Sequence, residues 1–264
     1  MITSVAKRET NVSQYVSPLL AIALSGAVAV LILPGYINIS GYFLYFPTHH
    51  APQTSLEPWR VRDVLAGYCR SVNDPAAVWL FCHGNGGQAS ERDYFLRCVA
   101  DDAAVYLLEY PGYGARPGRT SMKSINRAAL EALRELQLRY PGKIIGVVGE
   151  SLGTGPASWL CSQPHPPGRL VLIVPFDNLL SVAREHFPYL PVGWLMRDGR
   201  WDNVAALRGY TGPVRIYAAQ YDQVIAVHHA RLLAAALPRA KYVEMACEHN
   251  TWMDGPRVYL SERW

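Results

Sequence analysis

Nine residues, Val147-Val148-Gly149-Glu150-Ser151-Leu152-Gly153-Thr154-Gly155, decide how the chain is read. They place a serine between two glycines, each two positions away. A G-x-S-x-G pentapeptide is short enough to arise by chance, so its setting carries the inference. Here it follows the apolar run from Lys143 to Val148 and opens a segment of helical character at Leu152. That is the strand-turn-helix context a nucleophile elbow requires. Gly149 and Gly153 remove side chains where strand and helix backbones meet, which lets a strained Ser151 project its hydroxyl above the sheet edge. The helix N-terminus beneath it favours developing negative charge. A serine that merely capped a helix would need no such pair of glycines.

Outward from this stretch, short apolar runs recur at Ala77 to Cys82, Ala103 to Leu108, Leu170 to Val174, Val214 to Ala219 and Lys241 to Met245. With Lys143 to Val148 counted third, helical patterning separates the first four runs, up to Leu170 to Val174. It is strongest from Ser121 to Arg139, where Leu130, Leu133 and Leu136 share one face. Strands alternating with helices predict an α/β fold with a mostly parallel sheet flanked by helices and right-handed crossovers. The interval from Phe176 to Gly212 breaks the alternation and is rich in aromatic residues, among them Phe187, Tyr189, Trp194, Trp201 and Tyr210. It reads as a cap insert over about 176–212.

A serine hydroxyl needs a base, and the base needs an orienting acid. Asp222 follows the run VRIYAA and His249 follows KYVEMA, so both stand at strand C-termini, where ligand sites of open α/β sheets form. The serine, acid, histidine order is the one expected of an elbow-type site. His228 and His229 are rival bases, but they begin a helix before the last strand and read as helix or surface residues. Asp177 is the rival acid, and its place before Asn178-Leu179-Leu180 also suits a helix N-cap. The third component is His83-Gly84-Asn85-Gly86-Gly87 at the end of an earlier strand. An acyl-transfer oxyanion needs preorganised N–H donors, and the amides of Asn85 and Leu152 are the candidates. Gly84 and Gly86 let backbone approach a substrate, and His83 braces the loop. No phosphate-loop pattern accompanies these glycines.

The chain of 264 residues carries a formal net charge of +4 without a run of Lys or Arg, which argues against nucleic acid as a partner. Cys69, Cys82, Cys98, Cys161 and Cys247 are scattered, with no metal-type spacing. Neither a metal nor a cofactor is expected. From Thr10 to Leu56 there is no Asp, Glu, Lys or Arg, and Val16 to Ile39 is almost wholly apolar. A bilayer core takes about 20 such residues as a helix, longer than the roughly 7 to 15 of a secretory signal. A single membrane anchor is therefore expected within residues 1–40, although Ala27-Val28-Ala29 resembles a cleavage site and a buried hydrophobic helix is the plainer alternative. Lys7 and Arg8 before the segment favour a cytoplasmic N-terminus and an extracytoplasmic body, residues 41–264.

Taken together, the aromatic stretch LYFP, HGNGG, the turn EYPGYG, GESLG, VPFDNLLSVA, YDQVI and the terminal EHN resemble the α/β-hydrolase superfamily, within it the membrane-associated serine hydrolases with an HGNGG oxyanion loop. The resemblance runs from about Gly41 to the C-terminus. It implies an esterase, thioesterase or lipid hydrolase acting on small-molecule or protein-linked acyl groups. Ser151 would be the nucleophile, His249 the base, Asp222 the acid, and the amides of Asn85 and Leu152 the oxyanion hole. Ala219 and Ala226 depart from the Gly and Pro usual in relatives, which bears on loop geometry and substrate preference. An acyltransferase would use the same residues. A non-catalytic tethered interaction protein would be expected to have lost some of them.

Overall fold

The computed structural model describes residues 44–254 and 258–260, all within the compact unit Ser40–Trp264. The expected anchor lies outside the described residues. Among those described, no helix is long and apolar enough to cross a membrane.

Eight strands form one sheet in the order β10-β9-β8-β7-β4-β6-β3-β2. They are β2 (Glu57–Val61), β3 (Val64–Arg70), β4 (Val78–Cys82), β6 (Ala104–Leu108), β7 (Ile145–Glu150), β8 (Arg169–Ile173), β9 (Val214–Ala219) and β10 (Lys241–Met245). All neighbours from β6 to β10 are parallel, while β3 runs antiparallel to both β6 and β2. Two short segments, β1 (Phe46–Pro47) and β5 (Gly86–Gly87), pair separately in parallel. The central strands read as unbroken apolar runs because both faces are covered. Leu80, Val147, Leu172 and Ile216 point to one face; Phe81, Val148, Val171 and Ile173 point to the other.

Among the described residues there are six α-helices: α1 (Met122–Arg139), α2 (Thr154–Cys161), α3 (Leu179–His186), α4 (Val192–Leu195), α5 (Asn203–Leu207) and α6 (Val227–Ala236). The predicted long helix starts one residue later than expected because Ser121 is its cap. The Ser121 hydroxyl accepts from the Ser124 amide, and the Ser124 hydroxyl accepts from the Ser121 amide. Buried residues of all six helices join the same core layer. The opposite layer is closed by 3-10 turns at Ala89–Glu91 and Asp93–Cys98, through Phe95 and Cys98, and by Trp252, Val258 and Leu260. The expected helix between β4 and β6 is thus replaced by 3-10 turns. The hairpin β2–β3 was not legible: β3 is buried along five of its seven residues and lacks alternation. Its tight turn is made by Arg62 and Asp63 at φ of 50° and 66°, a backbone state usually marked by Gly or Asn.

The insert between β8 and β9 divides in two. Its distal part packs against the helices of the body: Trp201 is buried and its indole donates to Asn126 of α1, while Asn203 donates to Thr154 of α2. A Cβ on Gly155 would lie 2.5 Å from the Trp201 ring, so the glycine at that position admits the tryptophan. The proximal part, with Phe187, Tyr189, Leu190 and Trp194, leaves apolar side chains exposed.

Candidate active site

β7 delivers Ser151 in the left-handed region, at φ of 51°. A non-glycine residue there is strained, and the strain turns its hydroxyl away from the strand it follows. The flanking glycines are sterically required. A Cβ on Gly149 would lie 2.6 Å from the Gly153 carbonyl oxygen, and one on Gly153 would lie 2.0 Å from that of Cys82. Thr154 Oγ1 donates to the Ser151 carbonyl at 2.6 Å, closing the turn into α2.

The sheet then brings the two downstream residues to the serine. Beyond β9 and β10 the pairing continues, with the Gln220 amide donating to Met245 and the Tyr221 amide to Cys247. This sets the two loops side by side. His249 Nδ1 lies 2.7 Å from Asp222 Oδ2, and His249 Nε2 lies 2.9 Å from Ser151 Oγ. Asp222 Oδ1 accepts from the amides of Val224 and Ile225 at 2.8 and 2.7 Å, which fixes the orientation of the carboxylate. Asp222 and His249 are both buried, and Ser151 is half-buried.

The HGNGG loop passes directly over this point. A Cβ on Gly84 would sit 3.5 Å from Ser151 Cβ. Asn85 Oδ1 accepts from the Tyr113 hydroxyl and the Phe46 amide, which orients the residue whose backbone amide is the candidate donor. Leu152 lies in the first turn after β7, where amides have no intrahelical acceptor. His83 is fully buried, stacked on Tyr110, with Nδ1 donating to the Gly84 carbonyl at 2.7 Å. Within the protein itself, the steric demand for glycine in this loop falls on one position. A Cβ on Gly84 makes ordinary contact and one on Gly86 meets nothing, whereas Gly87, at φ of 91°, is the position that needs glycine.

Two buried carboxylates that the motifs did not single out hold these pieces together. Glu150, just before the serine, accepts from the Gly84 amide (3.1 Å), the Tyr94 hydroxyl (2.8 Å) and the Trp252 indole (2.9 Å). It thereby joins the elbow, the HGNGG loop and the segment carrying His249. Burial, reinforced by the Glu150 charge, pushes the Tyr94 phenol well above its ordinary pKa, so it stays a donor. Glu109 accepts from the Ala89 amide at 3.0 Å and lies 3.6 Å from His83 Nε2. The GESLG and EYPGYG motifs contain both residues, but a carboxylate between apolar neighbours gives no sequence sign of its partners.

The rivals are placed elsewhere. Asp177 does not cap α3; Asn178 does, accepting from Leu180 and Ser181. Asp177 instead bonds His229, which is buried rather than on the surface, and neither joins the Ser151 path.

Over residues 79–263 the chain matches the alpha/beta hydrolase family. It belongs to that family. The hydrolase is 35% identical to an uncharacterized protein of Mycobacterium tuberculosis over 197 residues, 69% of each chain. It is 27% identical over 176 residues to the lysophosphatidylserine lipase ABHD12 of Mus musculus, covering 60% of this chain and 44% of that one. Among solved structures, the Pyrococcus furiosus esterase PF2001 superposes with a TM-score of 0.60 at 15% identity, over 81% of the hydrolase and 92% of the esterase. That likeness shows the shared fold.

Proposed function

We propose that the hydrolase cleaves carboxylic esters or thioesters of acyl chains through a covalent acyl-enzyme on Ser151. The carrying observation is the unbroken hydrogen-bond path from Ser151 Oγ to His249 Nε2 and from His249 Nδ1 to Asp222. His249 takes the serine proton as Oγ attacks the acyl carbonyl, and Asp222 stabilises the imidazolium. The amides of Leu152 and Asn85 receive the oxyanion, each such donor being worth about 10² to 10³ in rate. His249 then protonates the departing alcohol or thiol, and water, deprotonated by the same histidine, releases the acid.

A lipid or acylated substrate is supported by the apolar Phe187, Leu190 and Trp194 exposed on the cap. His186 Nε2 donates to the Val224 carbonyl, which joins this region to the loop bearing Asp222. The mouse relative named a lysophosphatidylserine lipase points the same way. The apolar stretch from Val16 to Ile39 would act as a single anchor holding the body near a bilayer, on the extracytoplasmic face. The test is fluorophosphonate labelling with turnover of lysophospholipids, acyl esters and acyl thioesters of varied length. Wild type labels and turns over at least one class, and Ser151→Ala does neither, the loss approaching about 10⁶ in kcat. Equal labelling of the two proteins, or none in folded wild type, overturns the reading.

A further inference from the structure

Asp177, Glu185, His228 and His229 form a second cluster that lies outside the Ser151 path. Glu185 is in the last turn of α3, on the cap insert, and the two histidines are in the first turn of α6. Glu185 Oε2 lies 3.1 Å from His228 Nε2 and 3.0 Å from His229 Nε2. The three donor atoms all fall within 4.8 Å of one another. The imidazole rings are 4.3 Å apart at 34°, so both present Nε2 to the same carboxylate oxygen. Two imidazole nitrogens and a carboxylate converging on one point call for a positive charge between them, supplied by protons or by a metal ion.

The fourth residue orients the cluster and fits either case. His229 Nδ1 donates to Asp177 Oδ1 at 2.7 Å, and the His229 side chain is 4% exposed. When the ring is neutral, a proton held on Nδ1 leaves the Nε2 lone pair facing the cluster. This is the carboxylate–histidine–metal arrangement, in which an outer carboxylate fixes the tautomer and orientation of a ligating imidazole. We propose that Glu185, His228 and His229 bind a Zn²⁺ ion, with Asp177 as the positioning residue behind His229. Zinc takes imidazole nitrogen and carboxylate oxygen at about 2.0–2.2 Å, which puts tetrahedral donors roughly 3.3–3.5 Å apart. The present separations from Glu185 need open only slightly, and the side chains of Glu185 and His228 are 48% and 49% exposed, free to adjust. Three protein ligands leave a fourth position for water. The ion would clamp α3 to α6. His186, next to Glu185, bonds the Val224 carbonyl, and the Val224 amide holds Asp222. Metal occupancy would therefore tie the cap to the loop that carries the acid of the proposed triad.

The test uses the untagged full chain, stripped with a chelator and titrated with Co²⁺ at mildly alkaline pH. A saturable visible d–d band at one ion per chain, abolished by one equivalent of Zn²⁺, is expected. Zn²⁺ should also raise the melting temperature, because it binds the native state. His228→Ala and Glu185→Gln, both at half-exposed positions, should each weaken binding at least about tenfold, and Asp177→Asn by about 10- to 100-fold. Near-UV circular dichroism shows that each variant is folded. Absence of a saturable band in wild type, or affinity unchanged in both exposed-site variants, overturns the proposal. Fluorophosphonate labelling of the stripped protein reports on Ser151 separately.

Discussion

Two histidines in this molecule each have Nδ1 placed 2.7 Å from an aspartate, His249 on Asp222 and His229 on Asp177. Both are buried, and both aspartates follow strands of the parallel sheet, β9 and β8. They differ in what Nε2 faces. At His249 it faces a hydroxyl at 2.9 Å on a strained turn; at His229 it faces a carboxylate at 3.0 Å. An Asp–His pair is therefore only a device for aiming a nitrogen. Opposite a hydroxyl it can accept a proton, and opposite a carboxylate it can only share a cation. Function follows from the third residue in each case.

The strongest way to break this comparison is to make the same change in both aspartates. Asp222→Asn leaves the shape intact but removes the acceptor that holds His249 in its working tautomer, so kcat should fall about 10⁴-fold. Asp177→Asn should appear chiefly in stability, at about 1–3 kcal/mol, because it leaves a buried imidazole N–H poorly satisfied. Measured as fluorophosphonate labelling per folded molecule, the two variants should differ by more than about 10². Agreement within about tenfold would mean that the pairs are not functionally distinct.

A smaller effect is expected from Glu150→Gln. The substitution keeps the volume but replaces a charged acceptor of bonds from Gly84, Tyr94 and Trp252 by a neutral amide. Bonds to charged groups are worth about 1.5–3 kcal/mol each. Losing one such increment from the geometry around Ser151 lowers kcat by about 10- to 100-fold. A positioning role predicts that KM moves little and that kcat carries the loss. A purely structural role predicts a lower melting temperature with unchanged kcat per folded molecule.

These two aspartates also show how far the sequence could be read. The parallel strands were legible because burial on both faces forces continuous apolar runs. The Ser151 elbow was legible because Gly149 and Gly153 answer to a steric demand that only glycine meets, within 2.6 Å and 2.0 Å of backbone oxygens. Asp222 and His249 followed from strand order. The partners of Asp177, Glu109 and Glu150 were not legible, because a carboxylate is satisfied by whatever the fold brings within about 3 Å, and periodicity does not encode that. The hairpin β2–β3 was hidden for a related reason: Arg62, the first of its two positive-φ residues, is not one that usually announces such a turn. How the insert packs was not legible because Trp201 and Tyr210 look alike to composition, while only the structure shows Trp201 packed against Gly155.

The smallest expected effect sharpens the comparison at its third residues, Glu150 and Glu185. Glu150 is buried and accepts from three segments, whereas the Glu185 side chain is 48% exposed and faces the two α6 histidines. In metal-free protein, Glu185→Gln removes a solvent-screened ion pair, for which about 0.2–1 kcal/mol is the usual range. For a chain of this size that is a melting shift of no more than about 2–4 °C. Glu150→Gln should shift it further, since the lost acceptor cannot be replaced by water. If Glu185→Gln in the stripped protein is the more damaging of the two, the α3–α6 contact holds the body together, and the contrast between the histidine pair proposed to be catalytic and the peripheral one has to be redrawn.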